Sequence, residues 1–158
     1  MKRRSRRTVR EGLSENDMDR YESLKLKNQL CFPLYAASRE VVKHYRPLLD
    51  PYGLTYTQYI ALMVLWEERQ VNVKTLGERL YLDSGTLTPL LKSLEQKGYV
   101  TRTRSKEDER VLIAAVTEEG LSLREELKDV PEKLAGCVCL NAEDAAELYR
   151  ILYKILGC

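Results

Sequence analysis

The chain has 158 residues, of which 44% are hydrophobic and 32% are charged, and its formal net charge is +2. This length and composition favour one well-buried helical domain and leave little room for a second. It contains no run of about 20 apolar residues, so the sequence excludes a membrane-spanning helix. No apolar stretch follows the basic start, as a secretion signal would require, and we expect the protein to be cytosolic.

Residues 1–22 form a polar segment without helical periodicity. Six of the first ten residues are Lys or Arg. We interpret this segment as a mobile basic tail. A plain extension explains the composition, and contact with nucleic-acid phosphates is the alternative.

The segment 23–54 is predicted to contain a helix from about residue 32 to residue 47. Pro33 fits the first turn, because its missing N–H has no helical partner there. Cys31 would then lie at the helix N-terminus, where amide donors and the helix dipole favour a thiolate. Almost no face of this helix is purely polar, which indicates a surface that binds a partner.

A core helix is predicted over residues 55–68, with Thr55 or Thr57 as its cap. The Asp-Pro-Tyr-Gly sequence at 50–53 predicts a turn before it. The two short helices that follow are expected to pack against this helix. Its predicted buried stripe comprises Tyr56, Tyr59, Ile60, Met63 and Val64.

A helix-turn-helix followed by a hairpin is predicted between residues 73 and 116. The helices cover 73–82 and 84–97, and two strand-like runs flank a charged loop at 105–110. This order is that of a winged helix-turn-helix, whose second helix lies in the major groove of DNA. The buried stripe of the second helix has the spacing i, i+3, i+4 and i+7 and comprises Leu87, Leu90, Leu91 and Leu94.

Candidate DNA contacts lie on the second helix and in the wing. The small side chains of the helix suit a close approach to DNA, with specificity from DNA shape and dimer spacing. An ion pair between Asp108 and Arg110 is expected to stiffen the wing, so that an Arg can enter the minor groove. The candidates are Ser84, Thr86, Thr88, Pro89 and Lys92 on the helix, and Arg102, Arg104, Asp108 and Arg110 in the wing.

The segment 117–158 is predicted to hold further helices, capped by Thr117 and by Asn141. Pro131 predicts a kink or a break near Val130. The last helix carries an apolar stripe of Leu148, Ile151, Leu152 and Ile155. The first and last helices are more apolar than a small winged module can cover. We therefore expect a two-fold homodimer, which would present two recognition helices to successive grooves of double-stranded DNA.

The four cysteines are Cys31, Cys137, Cys139 and Cys158, and in a cytosolic protein we expect them to be reduced. The Cys137-Val-Cys139 pair is not a CxxC motif, and the single histidine, His44, is far from it in sequence. The sequence therefore predicts no metal site and no cofactor. Small apolar packing is the structural alternative for Cys137 and Cys139, and inert burial is the alternative for Cys31.

Three blocks of sequence, residues 28–40, 45–66 and 76–95, are similar to the organic hydroperoxide-sensing repressor branch, OhrR, of the MarR family of winged-helix regulators. The wing sequence Asp108-Glu109-Arg110 and the Thr-Glu-Glu-Gly sequence at 117–120 also resemble the MarR family. The similarity extends over about residues 24–156. It implies a homodimeric repressor that senses organic peroxides through one cysteine and is not an enzyme.

The resemblance also implies roles for individual residues. Cys31 matches the reactive cysteine, and Tyr45 and Tyr56 match two tyrosines whose hydroxyls bond to it. Tyr35 matches a third pocket residue. The resolving cysteine of two-cysteine members would be Cys137, with Cys139 as the second candidate. Pro33 replaces the small residue that is usual after Cys-Phe.

Helix geometry places a limit on this site. Tyr45 follows Cys31 by fourteen residues, so a continuous helix would separate them by about 21 Å. If Tyr45 serves Cys31, it must come from the partner subunit. We therefore expect a sensing site built across the dimer interface.

Two other functions fit parts of the sequence. A MarR regulator without redox chemistry would bind a phenolic or aromatic acid in the interface pocket, with Cys31 as a packing residue. A thiol peroxidase would share the first reaction with peroxide. The absence of a CxxC motif and the size of the DNA-reading unit argue against that enzyme.

Overall fold

The computed structural model describes residues 21–137 and 139–157, and it has the predicted, mainly helical winged helix-turn-helix fold. The chain divides into two units, residues 1–41 and 42–158. The predicted tail lies almost wholly outside the described residues, as does Cys158. The helices are α1 (Cys31–Leu49), α2 (Tyr56–Glu68), α3 (Val73–Leu80), α4 (Ser84–Gln96), α5 (Glu118–Leu127), α6 (Val130–Ala135) and α7 (Ala142–Leu156), with short 3-10 turns at Glu22–Leu24, Leu26–Asn28 and Asp50–Tyr52.

A three-stranded antiparallel sheet completes the second unit. Its strands are β1 (Gln70–Asn72), β2 (Val100–Arg104) and β3 (Leu112–Val116), in the order β1-β3-β2. The hairpin of β2 and β3 is the predicted two-stranded wing, with Arg102 opposite Ala114. Strand β1 was not predicted. Its three residues are too few to show an alternating pattern, and pairing with β3 defines the strand.

Helix α2 is surrounded by the core of the second unit. Ala61, Leu62 and Leu65 are fully buried, as expected of a helix that is packed on most of its faces. The predicted stripe was wrong at Met63, whose side chain is 39% exposed. Gln58 is buried instead. Buried Gln58 is tolerated because its side chain is hydrogen-bonded at both ends of the amide.

The amide of Gln58 joins α2 to the recognition helix. Its oxygen accepts from the backbone N–H of Thr55 at 3.0 Å, which completes a capping box with the Thr55 hydroxyl. Its nitrogen donates to the hydroxyl of Ser93 on α4 at 3.0 Å. The four predicted leucines of α4 are all buried, so the helix turns its opposite, polar face outward.

The predicted helix boundaries after the wing are confirmed. The Thr117 hydroxyl caps α5 by accepting from Gly120 N–H at 3.0 Å. The helical run breaks after Leu127, and Pro131 falls within the first turn of α6, where its missing N–H is tolerated. Asn141 caps α7. Across the described ranges, no helix combines the length and the hydrophobicity needed to cross a membrane.

Close packing at Gly120 holds the start of α5 against the wing. The indole N–H of Trp66 donates to the Gly120 carbonyl at 2.7 Å. A Cβ at position 120 would overlap the Tyr99 carbonyl oxygen and would lie 2.7 Å from Cγ2 of Val116. This position therefore has no room for a side chain.

We expect Gly120→Ala to lower the free energy of unfolding by about 1–3 kcal/mol, because the backbone at Tyr99 must move to admit the methyl group. The matched control is Gly136→Ala, since a Cβ there would come no closer than 3.9 Å to another residue. Urea unfolding of both variants measures the difference. Equal stability of the two variants would contradict this account of the packing.

Candidate nucleic-acid interface and thiol site

The polar side chains of α4 are exposed from Ser84 to Lys92, and Ser93 and Glu95 beyond them are half-buried. The cap of the helix is Asp83, whose carboxylate accepts from the N–H of Thr86 at 2.8 Å, and this bond lowers the pKa of Asp83. The face is therefore both ordered and open to a ligand as large as a duplex. All five predicted contacts on this helix are exposed, namely Ser84, Thr86, Thr88, Pro89 and Lys92.

The wing tip has the predicted ion pair. The guanidinium Nε of Arg110 lies 3.3 Å from Asp108 Oδ1, and the same oxygen accepts from the Arg110 backbone N–H at 2.9 Å. The Arg104 guanidinium donates to the carbonyl of Glu109 across the hairpin. The side chain of Arg110 is nevertheless 93% exposed. The tip is thus held by internal contacts and still presents a cation to solvent.

Arg102 has a different environment from the other wing arginines. Its guanidinium pairs with Glu95 of α4 at 2.5 Å, and its side chain is only 18% exposed. Glu95 also accepts from the Arg102 backbone N–H at 3.2 Å, and the guanidinium lowers the pKa of Glu95. This geometry favours a role for Arg102 in positioning the wing against α4 over the predicted DNA contact. Sequence spacing gave no signal for Glu95.

An open cleft lies between α3, the start of α4 and the wing. Its lining includes Lys74, Glu78, Ser84 and Arg110, and Lys74 lies 3.9 Å from the carboxylate of Glu78. Arg110 and the N-terminus of α4 thus share one concave surface. Such surfaces suit the phosphates of a nucleic-acid backbone.

Cys31 is the first residue of α1, as predicted, and it is exposed and forms no disulfide. The first turn offers fewer amide donors than usual, because Pro33 has no N–H and Phe32 N–H already donates to the Gln29 carbonyl at 3.3 Å. Tyr35, one turn further on, accepts a hydrogen bond from the Arg39 guanidinium at 2.9 Å. Arg39 was not among the predicted site residues, although its i+4 spacing from Tyr35 was visible in the sequence.

Two predicted pocket tyrosines lie together in an aromatic cluster of the second unit. The ring centroids of Tyr45 and Tyr56 are 4.7 Å apart, and those of Tyr45 and Tyr59 are 5.9 Å apart. Trp66 extends the cluster, 6.0 Å from Tyr59. Burial, aided by the neighbouring tyrosines, raises the pKa of Tyr45 to about 12. The Tyr45 hydroxyl therefore keeps its proton and remains a hydrogen-bond donor at physiological pH.

Cys137 and Cys139 lie between α6 and α7, and both are exposed and free. The Cys137 thiol donates to the Lys133 carbonyl at 3.5 Å. Cys31 and Tyr45 lie in one uninterrupted helix. The prediction of a site shared between two subunits assumed such a continuous helix. In the part of the chain that the structure describes, no three His, Cys, Asp or Glu side chains form a group that could hold a metal ion.

From the raised pKa of Tyr45 we predict how the unfolding free energy changes at alkaline pH. Ordinary tyrosine has a pKa of 10.0, and that of Tyr45 is about 12, so the folded state holds this proton more tightly than the unfolded state. The stabilisation is complete below about pH 10 and is lost as pH rises towards 12. Tyr45→Phe should flatten the fall in unfolding free energy over that range, measured in urea from pH 9 to 11.5. Tyr35→Phe, at an exposed ring, is the control, and an equal effect in both variants would contradict the assignment.

Known proteins similar to this chain are transcription regulators. Residues 43–127 match the family described as transcriptional regulator SarA/Rot. The organic hydroperoxide resistance transcriptional regulator of Bacillus subtilis is 50% identical over 138 residues, which cover 87% of this chain and 94% of that protein. The regulator SarZ of Staphylococcus epidermidis is 46% identical over 135 residues, covering 85% of this chain and 91% of SarZ.

Solved structures of AbfR, a Staphylococcus epidermidis protein, have the same fold. Reduced AbfR bound to DNA is 36% identical with a TM-score of 0.72, and covers 87% of this chain and 96% of AbfR. Disulfide-formed AbfR is 36% identical with a TM-score of 0.58, and covers 90% of this chain and 97% of AbfR. With the family match and the relatives above, these similarities show that this chain belongs to the SarA/Rot family of winged-helix transcription regulators.

Proposed function

We propose that this regulator is a homodimeric repressor of the OhrR branch of the MarR family, and that it senses organic hydroperoxides through Cys31. The observation that carries the proposal is an exposed, free cysteine at the first position of α1, outside the DNA-reading unit. The name of the Bacillus subtilis relative supports the effector class. Reduced, overoxidised and disulfide-formed structures of AbfR support redox chemistry in a protein of this fold.

The first reaction is oxidation of Cys31. Its thiolate attacks one oxygen of the hydroperoxide, the O–O bond breaks, and the alkoxide leaves and is protonated to the alcohol. The sulfur is thereby oxidised to a sulfenic acid. In the second reaction a thiol of the partner subunit, from Cys137 or Cys139, attacks this sulfur and releases water. The product is an intersubunit disulfide.

Tyrosine hydroxyls of the partner subunit would support the thiolate. With Pro33 lacking an N–H and Phe32 N–H already engaged, the helix N-terminus offers few amide donors to the Cys31 sulfur. Tyr45 and Tyr56 supply donors that stay protonated, since burial raises the pKa of both. Charge stabilisation in this site would therefore depend on the dimer.

Exposed apolar side chains support the dimer itself. The first half of α1 exposes Phe32, Leu34 and Tyr35, each more than 40% accessible. Helix α7 exposes Leu148 and Ile155, with no buried residue along its whole length. A second copy of the chain would bury both surfaces, in keeping with dimerisation through segments 23–54 and 117–158.

Disulfide formation would then act on DNA binding through dimer geometry. A disulfide requires Cα atoms within about 7 Å. If the two cysteines lie further apart in the reduced dimer, closing the bond deforms it and changes the spacing of the two α4 helices. Affinity for a two-site operator falls as a result.

Two cations should carry a large share of the affinity for operator DNA. We expect Lys92→Ala and Arg110→Ala each to weaken binding by about 1–3 kcal/mol. Each should also reduce the slope of log affinity against log salt concentration by about one. Fluorescence anisotropy at several salt concentrations, with a duplex selected by the wild-type protein, measures both quantities. Lys128→Ala, at the exposed lysine that follows the last residue of α5, should change neither. Unchanged affinity in Arg110→Ala would show that the wing tip does not contribute to DNA binding.

The sensing step is tested by exposing reduced protein briefly to cumene hydroperoxide. Non-reducing gels and intact mass compare the wild type with Cys31→Ser, Cys137→Ser and Cys139→Ser. A cross-linked dimer that requires Cys31 and one of the other two cysteines is the expected result. Oxidation of Cys31 without a cross-link would leave capping by a small thiol as the second step.

An inert Cys31, under conditions that oxidise a free control thiol, would reject the proposal. A regulator that answers to a phenolic ligand would then remain. Steady turnover of hydroperoxide with an added dithiol reductant, at rates unaffected by operator DNA, would instead indicate a thiol peroxidase. The same protein preparations are used for the oxidation test and for the turnover assay.

A further inference from the structure

We propose that Cys137 and Cys139 form an exchange pair, which takes the disulfide from Cys31 and returns that cysteine to its reduced form. This inference rests on the proposed function, because the disulfide originates in peroxide oxidation of Cys31. It gives a role to the thiols of both Cys137 and Cys139, whereas the sensing reaction uses only one of them. The consequence is that Cys31 returns to its reduced form once, at the expense of the pair, without an external reductant.

Position favours a bond between these two thiols. They are two residues apart, in the stretch between the end of α6 at Ala135 and the start of α7 at Ala142. Cα atoms two residues apart lie between about 5 and 7 Å, and a disulfide requires about 4.4–6.8 Å. Cys139 lies outside any helix or strand, so local backbone rotation can adjust the distance.

Cys137 and Cys139 differ in their hydrogen bonds and local structure. The Cys137 S–H donates to the Lys133 carbonyl, and its backbone N–H donates to the Leu134 carbonyl at 2.8 Å, so this residue continues the last turn of α6. Cys139 lies beyond that turn and is exposed. One thiol is therefore anchored to a helix end, and its neighbour is free to approach it. This is a suitable arrangement for a resolving sulfur and a sulfur that attacks it.

The exchange balances without a further oxidant. One thiol of the pair first forms the disulfide with Cys31 of the other subunit. The second thiol, as a thiolate, attacks its neighbour's sulfur, the intersubunit S–S bond breaks, and the Cys31 thiolate leaves and takes a proton. Two electrons have passed from the pair to the peroxide, and Cys31 is reduced. The covalent link between subunits has become a disulfide within one chain.

This chemistry gives the sensor a threshold. The first equivalent of hydroperoxide per subunit is absorbed by the pair, and the dimer loses its cross-link. A second equivalent meets Cys31 with no resolving thiol left, so its oxidation persists. A brief exposure to peroxide and a sustained one would then have different effects on DNA binding.

The test follows wild-type protein after one equivalent of cumene hydroperoxide per subunit, with samples alkylated at intervals and digested with trypsin. Cleavage after Lys and Arg places Cys31 in peptide 28–39 and both Cys137 and Cys139 in peptide 134–150. We expect the cross-linked dimer to rise and then decay. Alkylated peptide 28–39 should reappear as peptide 134–150 becomes lighter by two hydrogens. In one of the variants Cys137→Ser and Cys139→Ser the cross-link should persist about tenfold longer than in the wild type.

A second measurement separates this inference from the proposed function. Cys31→Ser is incubated with oxidised glutathione, which can oxidise the pair without Cys31. Formation of the disulfide within peptide 134–150 supports the exchange pair even if Cys31 proves inert to peroxide. Accumulation of glutathione adducts without that internal disulfide overturns the pair, and so does a wild-type cross-link that persists as long as those of the single variants. The glutathione experiment on Cys31→Ser is independent of whether Cys31 senses peroxide.

Discussion

The burial of α2 is the constraint on which the second unit of this protein depends. Leu62 and Leu65 are fully buried, so neighbouring elements must approach the helix from several sides. Polar groups at its two ends then determine where those neighbours lie. Near the N-terminus the Gln58 amide binds Ser93 of α4, and near the C-terminus the Trp66 indole binds the Gly120 carbonyl at the start of α5. Apolar burial provides the stability, and these two directional bonds determine the arrangement.

The predicted DNA-contacting surface is held in place by bonds within the protein. Asp83 caps the recognition helix, and Glu95 holds the wing strand through Arg102. The exposed arginine of the wing tip, Arg110, is restrained by Asp108. Each of these acids takes part in positioning and lies on or beside the binding surface. A pre-ordered surface loses less conformational entropy on binding than a flexible one, which favours affinity.

In our proposal the thiol chemistry is divided between segments outside the helix-turn-helix and its wing. Cys31 begins α1, and Cys137 and Cys139 lie between α6 and α7. In the mechanism that we propose, the dimer is the element that joins these sites to each other and to the spacing of the α4 helices. Oxidation would therefore change DNA binding through the relation between subunits, and the winged unit itself would remain intact.

The sequence by itself determined the order of the main helices, the caps Thr117 and Asn141, and the leucine stripe of α4. These features depend on contacts within a few residues of each other, and such contacts are written in local spacing. It also determined that a continuous helix keeps Cys31 and Tyr45 apart, since the rise per residue is fixed. The resemblance to OhrR rested on matched blocks of residues and predicted the class of regulator.

Only the tertiary structure decided which side chains meet across the chain. Strand β1 exists because β3 pairs with it, Gln58 is buried in place of Met63, and Arg102 is bound to Glu95. Gly120 excludes a side chain because the Tyr99 carbonyl lies against it. Each of these facts depends on the distance between residues that are not neighbours in a periodic pattern. Periodicity predicts which face of an element is buried, but packing determines what that face touches.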